Sequence, residues 1–71
     1  MSLVILRADP RRVRVAIGRA YDDSRLWCAY VGPRDGTDLA MGIGIRQDPS
    51  DALDLALARA AAAGLPGVTP D

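Results

Sequence analysis

The sequence predicts a single small α+β domain, a three-stranded antiparallel meander with one C-terminal helix packed across one face. Three observations lead there. Residues 12–21 and 39–45 alternate large apolar side chains with small or charged ones, the period of a half-buried strand. Asp35-Gly36 between two apolar runs is a strong hairpin signal. Asp48-Pro49-Ser50-Asp51 opens a Leu- and Ala-rich stretch that stops at Gly64, the pattern of a capped helix.

Taken in order, residues 3–6 form a short apolar run with branched side chains. It ends before Asp9-Pro10, because proline disfavours helix at the residue before it. This run is an arm or an added fourth strand. Residues 12–21 place Val13, Val15 and Ile17 on one side and Arg12, Arg14, Ala16, Gly18 and Ala20 on the other. Asp22-Asp23-Ser24 is a turn cluster. Residues 26–31 supply Trp27, Cys28, Tyr30 and Val31, types that favour strands. After the break at residues 32–36, the third strand sets Leu39, Met41, Ile43 and Ile45 against Ala40, Gly42 and Gly44.

Asp48 is suited to cap the helix with its carboxylate, Pro49 fits the first helical position, and Asp51 adds favourable charge in the first turn. Leu53, Ala56, Leu57, Ala60 and Ala61 then share one helical face, with Leu55, Ala58, Arg59 and Ala62 opposite. Gly64 and Pro66 end the helix, and residues 65–71 are expected to fray.

Opposed residues of an antiparallel pair share a face, so loop lengths decide which residues meet. With Asp35-Gly36 as a two-residue turn, Trp27, Ala29 and Val31 lie opposite Gly44, Gly42 and Ala40. With an even first loop at Asp23-Ser24, Trp27 also meets Ala20, and Ala29 meets Gly18. The expected core face is then Val13, Val15, Ile17, Leu26, Cys28, Tyr30, Leu39, Met41, Ile43 and Ile45 beneath the helix. The other face is expected to be open, carrying Ala16, Gly18, Ala20, Ala29, Ala40, Gly42 and Gly44 around Trp27. Arg12 and Arg14 stand toward one end of it and Arg25 and Arg46 toward the other. An odd first loop would reverse the parity between the first two strands.

Composition limits the chemistry. A domain of 71 residues buries only about 60% of its unfolded surface and is marginal on its own. Cys28 is the only cysteine and there is no histidine, so neither a disulfide nor a Cys/His zinc site is available, and a homo-oligomer, in the first instance a dimer, is expected. No cofactor or metal is expected. Residues 1–34 carry seven Arg and three Asp, net +4, and residues 35–71 two Arg and six Asp, net −4. Packing of one half on the other would neutralise this asymmetry; a polyanion-facing surface is the sharper alternative. No apolar run reaches the roughly 18 residues of a membrane span, and a cytoplasmic location is expected.

The binding candidates are Trp27, Arg12, Arg14, Arg25, Arg46, Gly42 and Gly44. Trp and Arg dominate interface hot spots, and strand glycines let a partner approach closely. The same set could stack a base and hold phosphates, although such platforms usually carry several aromatics and this one has a single Trp. Equally, Trp27 could cover the glycines. Cys28 lacks a base to activate it, Asp22 and Asp23 are ordinary turn residues, and Gly42-Ile43-Gly44 lacks the setting of a phosphate loop. No enzyme is expected.

Tyr30, Gly32 and Pro33, followed by a glycine-containing strand and a helix opening at Asp48, Pro49, Ser50, Asp51 and Ala52, resemble the small HicB-like antitoxin fold. That family pairs a tyrosine strand and Pro-Gly turn with a helix opening on a Thr-Pro-Glu-Glu-Ala type motif. The resemblance covers about residues 13–63. Its acidic character is missing from the first half of this chain, and no C-terminal DNA-binding element follows. It implies a non-enzymatic module that binds and blocks a partner protein, such as a small inhibitor or antitoxin from a mobile element. The final strand and Ala-rich helix are also similar to the end of a double-stranded RNA-binding domain, whose lysines and first helix are absent here.

Overall fold

A computed structural model describes residues 6–20, 25–36 and 40–70. The elements are β1 (Leu6–Ala8), β2 (Val13–Arg19), β3 (Trp27–Pro33), β4 (Gly42–Arg46), α1 (Pro49–Ala62) and β5 (Val68–Pro70). The fold is the α+β class that the sequence predicts: β2, β3 and β4 form an antiparallel sheet in that order, and α1 packs on one face.

Both ends of α1 are closed by local chemistry. The Asp48 carboxylate accepts from the Ser50 N–H at 2.8 Å and the Asp51 N–H at 3.4 Å, with Pro49 first in the helix. At the far end, Gly64 N–H donates to Ala61 O and Leu65 N–H to Ala60 O, at 3.0 and 3.1 Å. Gly64 sits at φ 84°, the left-handed conformation that this double closure needs.

Residues 65–70, part of the stretch expected to fray, are packed and paired. Leu65 and Val68 are buried, and β5 pairs antiparallel with β1, Arg7 opposite Thr69. The N-terminal strand thus joins a separate two-stranded ribbon instead of becoming a fourth strand of the main sheet. Most of the apolar run at residues 3–6 lies outside the described residues.

The expected faces need correction, for two physical reasons. The first is parity. Ala20 N–H donates to Leu26 O at 3.0 Å, leaving an odd number of residues between them, so β2 is reversed relative to β3. Val15 lies opposite Val31 and Ile17 opposite Ala29, while Ala16 and Gly18 meet Tyr30 and Cys28. The turn residues Asp22, Asp23 and Ser24 lie outside the described residues. The second hairpin keeps its expected parity but slides by two: Ala29 meets Gly44 and Val31 meets Gly42. Asp35-Gly36 is not a two-residue turn; Gly36 N–H closes back on Pro33 O at 3.3 Å, with Gly36 at φ 82°.

The second reason is approach distance. The helix sits on the face expected to be open. A Cβ on Gly42 would overlap the Ala56 carbonyl and stand 2.5 Å from Ala60 N, and one on Gly44 would overlap the Ala52 carbonyl and stand 2.9 Å from Ala56 N. The helix meets these glycines with Ala52, Ala56 and Ala60, spaced one turn apart and wholly buried. Backbone therefore lies almost on backbone. Val13, Ala29, Val31, Leu57, Leu65 and Val68 complete the core, with Trp27, Leu53 and Ala61 packed at its margin. Of the residues expected inside, Val13 is buried, Leu26, Cys28, Tyr30 and Met41 are half-buried, and Val15, Ile17, Ile43 and Ile45 are exposed. Leu39 lies outside the described residues.

Candidate functional site

On the face away from α1, the register sets Tyr30 between Ala16 and Ile43 and Cys28 between Gly18 and Ile45. Ile43 is 42% exposed and Ile45 38%. The Tyr30 ring leans along its own strand over Gly32, where a Cβ would overlap the tyrosine hydroxyl. Thus the sheet glycine covered by an aromatic is Gly32, beneath Tyr30. This face is mostly apolar, with Arg14, opposite Gly32, at one corner.

Val15 and Ile17 belong to the helix side, yet α1 lies over β4 and β3, and they remain 42% and 46% exposed. Completing the burial of these four branched side chains is worth roughly 1 kcal/mol each. A domain with an alanine-rich core leaves much of its branched aliphatic surface unused.

The two edges of the sheet differ as well. Arg34 N–H donates to Arg12 O and Ala20 N–H to Leu26 O, so even-numbered residues of β2 face β3, and Val15 and Ile17 turn their backbone groups outward. On β4 the outward residues are Ile43 and Ile45. Their carbonyls accept from guanidinium groups: Arg59 Nη1 reaches Ile43 O and Arg46 Nη1 reaches Ile45 O, both at 2.7 Å. Among the described residues no strand pairs with the outer edge of β2.

The expected site residues do not form one open platform. Gly42 and Gly44 lie under α1 and offer no surface. Trp27 is half-buried on the helix side, opposite Arg46 on one strand and Arg19 on the other, and the Arg19 guanidinium carbon lies 4.6 Å from its ring centroid. Arg14 is on the opposite face. Arg25 is exposed just before β3. Arg12 lines an open notch of about 490 Å³ with Arg11 and Arg34, at the other end of β3 from Trp27. Arg34 is tied there, its Nη1 donating to Pro10 O at 2.8 Å.

Compared with known proteins, the chain matches no family model, no curated protein and no solved structure. What it can do is therefore read from its own surfaces.

Arg19 was not among the sequence candidates. An aromatic and an arginine on adjacent strands is a usable signal, but only once the first loop is known to be odd. Val15, Ile17, Ile43 and Ile45 were placed inside because large branched side chains usually are. The competing signal was the glycine pair facing three alanines spaced four apart.

Cys28 is a free thiol whose cross-strand neighbours are Gly18 and Ile45. Among the described residues no three His, Cys, Asp or Glu gather to hold a metal. No described helix is long and apolar enough to cross a membrane.

Proposed function

We propose that this chain is a non-enzymatic protein-binding module, an inhibitor or antitoxin-like protein that meets a partner protein through the uncovered face of its sheet. The observation that carries this reading is the exposure of Ile43 and Ile45 beside Tyr30 and Cys28 on the face away from α1. Contiguous exposed aliphatic and aromatic side chains on a small protein mark contact surfaces. Interface cores are depleted in charge, as this face is except at Arg14.

The alternative, single-stranded nucleic-acid binding, needs Trp27 together with Arg12, Arg14, Arg25 and Arg46 on one accessible face. Arg14 and Trp27 lie on opposite faces, and Trp27 is half-buried beside Arg19. Protein binding is preferred for that reason.

The test is a paired capture followed by reconstitution. Wild type and Ile43→Asp/Ile45→Asp, matched in helical circular dichroism, are used to capture partners, and the protein retained by wild type is purified and titrated against both. Binding to wild type at least a hundredfold tighter than to the variant is expected. Equal affinity for both would overturn the proposal.

A further inference from the structure

We infer that the partner at the β2 edge is a second copy of this chain, joined antiparallel strand to strand so that two three-stranded sheets become one of six strands. This rests on the protein-binding reading above but names a different surface from the Ile43–Ile45 face, and a specific occupant.

The first support is the contrast between the edges. Exposed edge strands invite pairing, and proteins block them with charged side chains. On β4 both outward carbonyls already accept from Arg59 and Arg46, so an incoming strand would have to displace two guanidinium groups and finds only the Ile43 and Ile45 N–H groups unclaimed by those contacts. On β2 the outward groups of Val15 and Ile17 have no strand beside them among the described residues, and β2 contains no proline. One edge has its outward carbonyls capped and the other does not.

The second support is self-complementarity. A two-fold axis at Ala16 sets Val15 opposite Ile17 of the second copy and Ile17 opposite Val15, with Arg14 opposite Gly18. The four branched side chains then form one cluster on the helix side, and no two arginines stand opposed. An axis at Arg14 would oppose Arg14 to itself, and an axis at Val15 would oppose Arg11 to Arg19. Like charges directly opposite are destabilising, so charge disfavours both. An axis at Ile17 opposes no arginines but sets Val15 against Arg19 and breaks up the aliphatic cluster, which leaves the Ala16 axis. An interface in which one patch pairs with itself is the geometry of a two-fold dimer.

The experiment combines sedimentation with cross-linking. Wild type is expected to sediment at twice the 7.5 kDa chain mass over a concentration series, and Val15→Lys/Ile17→Lys at the single-chain mass with unchanged helical circular dichroism. Should that variant fail to fold, cysteine scanning in a Cys28→Ser background decides. Ala16→Cys would face its own copy in a non-hydrogen-bonded pair, with Cα atoms about 4.5 Å apart, and form a disulfide-linked dimer. Arg14→Cys would not. A monomer at every concentration, or a dimer without the Ala16→Cys cross-link, would overturn the edge dimer. A dimer abolished by Ile43→Asp/Ile45→Asp and untouched at β2 would also overturn it, while leaving the open-face reading standing. Conversely, an Ala16-linked dimer whose partner binding ignores Ile43 and Ile45 would support the edge and sink the face.

Discussion

The two faces of the same three strands are built on different terms. One presents Gly42, Gly44, Ala29 and Val31 and carries the helix; the other presents Tyr30, Cys28, Ile43 and Ile45 and carries none among the described residues. Side-chain size alone would assign the helix to the second. The helix instead lies where it can come closest, because a Gly pair against an Ala stripe brings two backbones into contact along their length. Many short contacts, each only about 0.1–0.2 kcal/mol, then replace a few large side chains. The larger hydrophobes are left for an external surface.

The sharpest way to break this comparison is to restore a side chain beneath the helix. Gly42→Val or Gly44→Val forces the helix backbone outward, and the expected cost is about 3 kcal/mol or more. A 71-residue domain has only about 4–10 kcal/mol to lose. Thermal unfolding followed by circular dichroism should show the midpoint falling by at least about 12 °C, or no folded protein at all. An unchanged midpoint would mean that the helix is on the other face.

A smaller effect is expected at the helix start. Asp48→Ala removes the acceptor for the Ser50 and Asp51 amides and should cost about 1 kcal/mol in a denaturant titration. Partner binding at the sheet should survive it.

Smaller still is the response of the uncovered face. Ile43→Thr or Ile45→Thr leaves the core intact and should move the same titration by roughly 0.5 kcal/mol or less. A loss as large as that from Gly44→Val would erase the distinction between the faces. Least of all is Gly18→Ala, on the uncovered face, where an added Cβ would meet nothing within 4 Å. Stability there should hold or rise by about 0.5 kcal/mol, since a strand interior favours alanine over glycine.

The fold class, the strands near their observed positions and both helix caps were legible in the sequence because they depend on local rules. Asp48, Pro49 and Gly64 act within a few residues of themselves. The faces were not, since they depend on whether the first loop is odd and on how closely two backbones can meet. Neither is a property of one residue. The candidate site suffered most: of the proposed platform, Gly42 and Gly44 proved to be the floor beneath the helix, and Arg14 and Trp27 proved to be on opposite faces. The pairing of β5 with β1 was missed because Val68 lies in a Pro- and Gly-rich stretch that reads as a tail.

That ribbon also bears on the order of folding. Bringing Ala8 to Val68 closes a loop roughly ten times longer than bringing Ala20 to Leu26, which costs about 2 kcal/mol more in chain entropy. Three residue pairs give little in return until α1 is already seated. The β1–β5 ribbon should therefore close last and open first, and its amides should exchange with solvent hydrogen ahead of those in β3.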